Sequence, residues 1–307
     1  MRQLVVVILF ICWAVVVIVM PESCRNTEKY WTPPDTADLP HTQASDLILY
    51  GRELIAHTSV YLGPAGKIAN ISNGMNCQNC HLDAGTKFMG NNYAASAANY
   101  PRFRERSGTI ESLEKKINDC FIRSLNGSPL DSTSREMRAM VAYVQWLGKD
   151  VPRGYRPPGS GIKELPYLER AADTAKGRLV FESNCVECHR SDGAGKYDSL
   201  AVNYLYPPLW GPHSYNTGAG IFRLSKLAGY VKANMPLGNA HLSEEEAWDV
   251  AAFVNSQPRP VKVFEGDWPV VSTKPVDVAT APFPDTFSVT QHRYGPFGPI
   301  VRVRKKK

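Results

Sequence analysis

Cys77-Gln78-Asn79-Cys80-His81 and, further along, Cys185-Val186-Glu187-Cys188-His189 are the stretches on which the reading of this chain turns. Two thiols three positions apart can form thioethers with both vinyl groups of one porphyrin, and the histidine directly after the second thiol sets an imidazole under the iron. A lone CxxC could be a redox dithiol or half of a zinc site. The same histidine in both copies argues instead for two covalently bound haem c groups, attached through Cys77, Cys80, Cys185 and Cys188, with His81 and His189 as iron ligands.

The flanks of the two motifs also repeat. Ahead of the first, Leu47, Leu49, Leu54, Ile55 and Val60 predict a helix over about 45–61. Behind it, helices are expected over 109–125, with Ile110, Leu113, Ile117 and Phe121 on one face, and over about 132–147. Around the second motif the expected helices are 171–182 and a closing helix that opens on the capping box Ser243-Glu244-Glu245-Glu246. Ala142-Tyr143-Val144 corresponds to Ala252-Phe253-Val254. The expected fold is all-α: two tandem cytochrome c-like haem domains, 44–150 and 171–257, joined by a proline- and glycine-rich linker at 151–170. Residues 258–307, rich in proline and aromatics without a helical period, are expected to wrap the domains as an irregular tail.

At the amino terminus, Leu4 to Met20 is an unbroken apolar run that as a helix would span roughly 25 Å, the lower limit for a bilayer. Residues 1–20 therefore read as an N-terminal membrane anchor or signal helix, with 21–43 as a tether. Pro21-Glu22-Ser23 is a poor cleavage site, which favours the anchor, and Arg2 ahead of the span places the rest on the periplasmic side of the cytoplasmic membrane. The 307 residues carry a net charge of +6, but the basic residues are mostly interleaved with acids, so nucleic acid is not an expected partner. Of seven cysteines, Cys12 falls inside the apolar run and Cys24 just beyond it, which leaves Cys120 as the thiol to be explained.

The sixth iron ligand separates an electron carrier from a catalyst. In the second domain Met235, His213, His241 and Lys232 are the candidates, and Met235 is favoured because it lies in Asn234-Met235-Pro236-Leu237, just before the closing helix. In the corresponding stretch of the first domain stands Cys120. A lone helical cysteine is ordinarily a small buried hydrophobe, but an exported chain rarely keeps an isolated thiol without a use. A thiolate on iron lowers the potential and is a nucleophile once released, which points to sulfur chemistry. Arg102, Arg104 and Arg106 precede the Cys120 helix and Arg123 follows one turn after it. Such guanidinium forks suit small oxyanions, and Arg102, Arg106 and Arg123 are the candidate substrate contacts.

These residues resemble the dihaem thiosulfate dehydrogenases, related to the haem subunit of the periplasmic thiosulfate-oxidising complex. The resemblance rests on Cys77-Gln78-Asn79-Cys80-His81-Leu82-Asp83-Ala84-Gly85, on Ile117-Asn118-Asp119-Cys120-Phe121-Ile122-Arg123-Ser124-Leu125-Asn126-Gly127, on Asn234-Met235-Pro236-Leu237-Gly238 and on His292-Arg293-Tyr294-Gly295-Pro296-Phe297. It implies an active-site haem held by His81 and Cys120 and an electron-exit haem held by His189 and Met235. The implied reaction joins two thiosulfates into tetrathionate and passes two electrons to a periplasmic or membrane-associated cytochrome; run in reverse it is a tetrathionate reductase. Some members carry a lysine directly before the methionine as an alternative ligand, where this chain has Asn234. Two other readings of the same residues are a non-catalytic electron-transfer cytochrome and a haem subunit of a multi-protein sulfur-oxidising complex.

Overall fold

The computed structural model describes residues 30–305. The anchor or signal segment, Cys12, Cys24 and residues 21–29 of the expected tether lie outside the described residues. Among the described residues no helix is long and apolar enough to cross a membrane.

Each half of the chain is built on one crossed pair of helices. In the first, Gln43–Ala56 packs on Arg135–Leu147; in the second, Thr174–Asn184 packs on Glu244–Ser256. Both pairs cross at a glycine. A Cβ on Gly51 would stand 2.0 Å from the Ala139 carbonyl oxygen, and one on Gly177 would stand 1.9 Å from that of Asp249. Backbone thus meets backbone in both domains, and this shared contact is the structural counterpart of the sequence repeat. Gly177→Ala gains about 1 kcal/mol of helix propensity. Overpacking at the crossing costs more, about 3 kcal/mol, so a lower melting midpoint of the haem-loaded protein is expected. An unchanged midpoint would show that the pair can slide apart.

Caps set the helix boundaries. Ser243 and Glu246 exchange both bonds of a capping box, at 3.2 and 2.8 Å. Thr42, Ser134 and Asp173 each accept from a first-turn amide of the helix that follows. Below them lie two apolar clusters, one around Leu54, Phe121 and Met140, the other around Phe181, Trp248 and Ile300.

Three expectations need correction. The fold is mostly helical but not purely so, because the described residues include two antiparallel hairpins: β1 (Arg102–Arg104) with β2 (Thr109–Glu111), and β3 (Lys196–Asp198) with β4 (Asn203–Tyr206). The helix expected over 109–125 therefore starts only at Leu113, capped by Ser112, and Ile110 stands 74% exposed on the hairpin. Nor is the tail irregular throughout. It ends in the helices Val289–Tyr294 and Phe297–Lys305, the latter burying Phe297 and Ile300 one turn apart against the second domain. Pro299 falls in that helix's first turn, where a missing amide costs nothing. The tail is pinned at His292, which is fully buried, bonded to the Val276 carbonyl and the Asp285 carboxylate, and stacked on Phe283. Arg304 closes on the same carboxylate at 2.7 Å.

Candidate haem and substrate sites

The expected ligands meet in two cavities. One, of 420 Å³, is lined by Cys77, Cys80, His81 and Cys120 together with Leu113, Phe121, Met140 and Val144. The other, of 370 Å³, is lined by Cys185, Cys188, His189 and Met235 among Phe181, Leu227 and Val250. Both lie within the range of small-molecule pockets, about 300–1,000 Å³. Asn76, Cys80 and Ile221 line both, so the two cavities share a wall.

The two histidines are oriented in a way that suits a metal ligand. His81 donates through Nδ1 to the Asn91 carbonyl at 2.5 Å, and His189 through Nδ1 to that of Pro207 at 2.9 Å. That bond fixes the ring and leaves Nε2 as the free lone pair, the arrangement typical of metal-bound histidine. Burial pushes the His81 imidazole down to about 4 and lowers that of His189, so both rings are neutral at physiological pH. Tyr93 stacks on His81 with ring centroids 4.5 Å apart. Burial also pushes the Cys77 and Cys80 thiols up to about 12 and that of Cys185 to about 11, as expected of an apolar lining. The residues present therefore fit a haem c in each cavity: two thiols, one oriented imidazole and apolar walls.

Of the four sixth-ligand candidates in the second domain, only Met235 lines the cavity. His213 and His241 are exposed, the latter bonded to Asn184, and Lys232 is tied to the Leu242 carbonyl at 2.6 Å. Asn234 donates to the Met89 and Tyr230 carbonyls and so braces the two domains.

Cys120 is aimed by its neighbours on the helix Leu113–Arg123. Asn118 grips the main chain of Leu130 with both amide atoms, at 2.9 and 2.8 Å, and Asp119 pairs with Lys115 at 2.5 Å. Cys120 and the fully buried Phe121 both line the cavity.

The structure redistributes the arginines. Arg102 is exposed and not among the cavity-lining residues. Arg104, two positions on along β1, lines the cavity and lies 3.9 Å from Glu111. Arg123 lines it too, but both of its terminal nitrogens are taken by Asp267 at 2.7 Å, and Phe264 covers its face. Arg123 is thus a tie to the tail, its fork closed to a ligand. Arg106 also lines the cavity and donates to the Gly218 carbonyl at 3.3 Å, while its Nε is buried without a partner. Burial, then the nearby Arg123, lowers the affinity of Arg106 for its proton.

Lys116 was missed, although it stands one turn before Cys120 and lines the same cavity. The four-residue spacing on one helix face was the available signal. The linker was also underrated. Met89 and Asn91 donate to the Gly159 and Gly161 carbonyls, and Arg156, Gly161 and Ile162 line the first cavity, so the linker is part of its wall. Among the described residues, Arg106, Lys116 and Arg156 form no ion pair with a carboxylate, whereas Arg123, Arg223 and Lys226 around the same cavity do.

Residues 67–152 match the SoxA/TsdA cytochrome c domain family, and residues 174–258 match cytochrome c. Over 235 residues the chain is 40% identical to the thiosulfate dehydrogenase of Allochromatium vinosum, covering 75% of this chain and 84% of that protein. Over 234 residues it is 36% identical to the thiosulfate dehydrogenase of Stutzerimonas stutzeri, covering 76% of this chain and 74% of that protein. Among solved structures it is similar to the thiosulfate dehydrogenase TsdBA from Marichromatium purpuratum, with a TM-score of 0.70 and 30% identity over 75% of this chain and 50% of that one.

Proposed function

The chain belongs to the thiosulfate dehydrogenase family, and from that premise we propose that it joins two thiosulfates through their sulfane sulfurs into tetrathionate at Cys120. The observation that carries this reading is the first cavity itself, where Cys120 and His81 line one space together with Arg106, Lys116 and Arg156, which form no ion pair among the described residues.

When bound, the two haems supply two one-electron acceptors, matching the two electrons released per tetrathionate. His81 and Cys120 would hold the haem of the first cavity, and His189 and Met235 that of the second. The work of the protein groups is to gather two dianions at one sulfur. Arg106 and Lys116 offset their mutual repulsion in a partly buried site, where charge is poorly screened. Cys120 forms an S–S bond to the sulfane sulfur of the first thiosulfate as two electrons leave. The second thiosulfate attacks that sulfane sulfur, the bond to Cys120 breaks, and tetrathionate departs with the Cys120 thiolate restored. Apolar Leu113, Phe121 and Val144 keep water from competing at the sulfur.

The electrons pass to a periplasmic or membrane-associated cytochrome, and the protein works on the periplasmic side, held by its apolar amino-terminal run. The test is to mix the purified holoprotein with thiosulfate and ferricyanide and to identify the product. Haem reduction with tetrathionate in half the molar amount of thiosulfate consumed is expected, and haem reduction without tetrathionate would overturn the reading.

A further inference from the structure

The segment Phe264-Glu265-Gly266-Asp267-Trp268 follows the second domain in sequence, yet it grips the first. Asp267 takes the fork of Arg123, and the Phe264 ring centroid lies 3.8 Å from the same guanidinium. Trp268 turns to Arg106: its amide donates to the Arg106 carbonyl at 2.6 Å, and its indole lies 5.6 Å from the guanidinium. Both arginines also reach the Gly218 carbonyl, at 3.3 and 3.4 Å. Trp268 has φ of 62°. A bulky aromatic residue holds that left-handed conformation only where its surroundings over-determine it. Here the Asp267–Arg123 fork holds one side. On the other, the Pro269 ring packs on Gly108, itself at φ 66°, so closely that a Cβ there would meet it at 2.6 Å.

We infer that Trp268 is a positioning residue for substrate binding: the strap, braced by Asp267 on Arg123, fixes the main chain and the guanidinium of Arg106, which forms no ion pair among the described residues, toward the Cys120 cavity. The inference rests on the thiosulfate reading of that cavity. A free arginine side chain loses much rotamer freedom when it binds an anion. One already held by a ring face and a carbonyl has lost it beforehand, so a small dianion binds more tightly. The strap acts on affinity, and the bond chemistry at Cys120 is left alone.

Two readouts test this on the holoprotein. Calorimetric titration of thiosulfate into the fully reduced protein measures affinity without turnover, and steady-state assays separate KM from kcat. Trp268→Gly, which removes the ring and relieves the backbone, is expected to weaken binding and raise KM about tenfold with kcat within about twofold of wild type. Trp268→Phe, which keeps an aromatic face, is expected to recover most of the loss. Asp267→Asn loosens the strap from its other end and shifts KM the same way, so the question stays open to test if Trp268→Gly does not fold. A wild type that binds no thiosulfate sinks the thiosulfate reading and this inference together. If the wild type binds but affinity is unchanged in Trp268→Gly or Asp267→Asn, or kcat falls with KM unmoved, the inference alone is overturned.

Discussion

Cys120→Ala is expected to leave both haem sites filled and to abolish thiosulfate-driven haem reduction, lowering kcat by about a thousandfold or more, as loss of a covalent nucleophile does. The thiols assigned to haem attachment are Cys77, Cys80, Cys185 and Cys188, none of which the change touches. Alanine also removes only a sulfur from a partly buried position, so the helix Leu113–Arg123 keeps its Ser112 cap and its grip on Leu130. The measurement is stopped-flow haem reduction by thiosulfate, with dithionite reduction as the control for intact haems. A variant that takes electrons from thiosulfate as fast as wild type would return Cys120 to the status of a small packed side chain and the protein to an electron carrier.

Arg106→Ala is expected to raise KM for thiosulfate about fiftyfold, in the range of a lost hydrogen bond between charged groups. Arg106 lines the cavity, has a buried Nε without a partner and forms no ion pair among the described residues. A dianion beside it gains a charge-assisted contact that water supplies less well. Arg106→Lys keeps the charge and loses the fork, so an intermediate KM is expected. Arg102→Ala is the control: its side chain is exposed and outside the cavity, and KM should not move. Should both variants shift KM alike, the effect is general surface charge rather than a built contact, which a parallel salt series would show.

What the sequence carried, it carried through short-range chemistry. The two CxxCH motifs, the Ser243–Glu246 cap and the pairing of Cys120 with the first site and Met235 with the second are all visible in spacings of a few residues or one domain length. The arginines were not, because what decides their roles is partners far away in sequence. Arg123 looks like a free fork until Asp267 arrives from the tail, and Arg102 differs from Arg104 only in where β1 lies. Thr109–Glu111 has an apolar residue in helical phase and was read as helix; its pairing with Arg102–Arg104 claims it for a strand. Prolines hid the last helix for a local reason, since Pro299 sits in the one turn that tolerates it.

Cys80 belongs to both cavities, and Asn76 and Ile221 stand with it in their common wall. Tyr230 and Asn234 of the second domain fasten that wall by bonds to the Asn79 and Met89 carbonyls of the first. The two halves, though built on one repeated pattern, have therefore ceased to be interchangeable parts. Exchanging either one for a generic cytochrome module would open the remaining cavity to water along its inner side. Recombination at the 151–170 linker is therefore expected to be poorly tolerated even where each module folds.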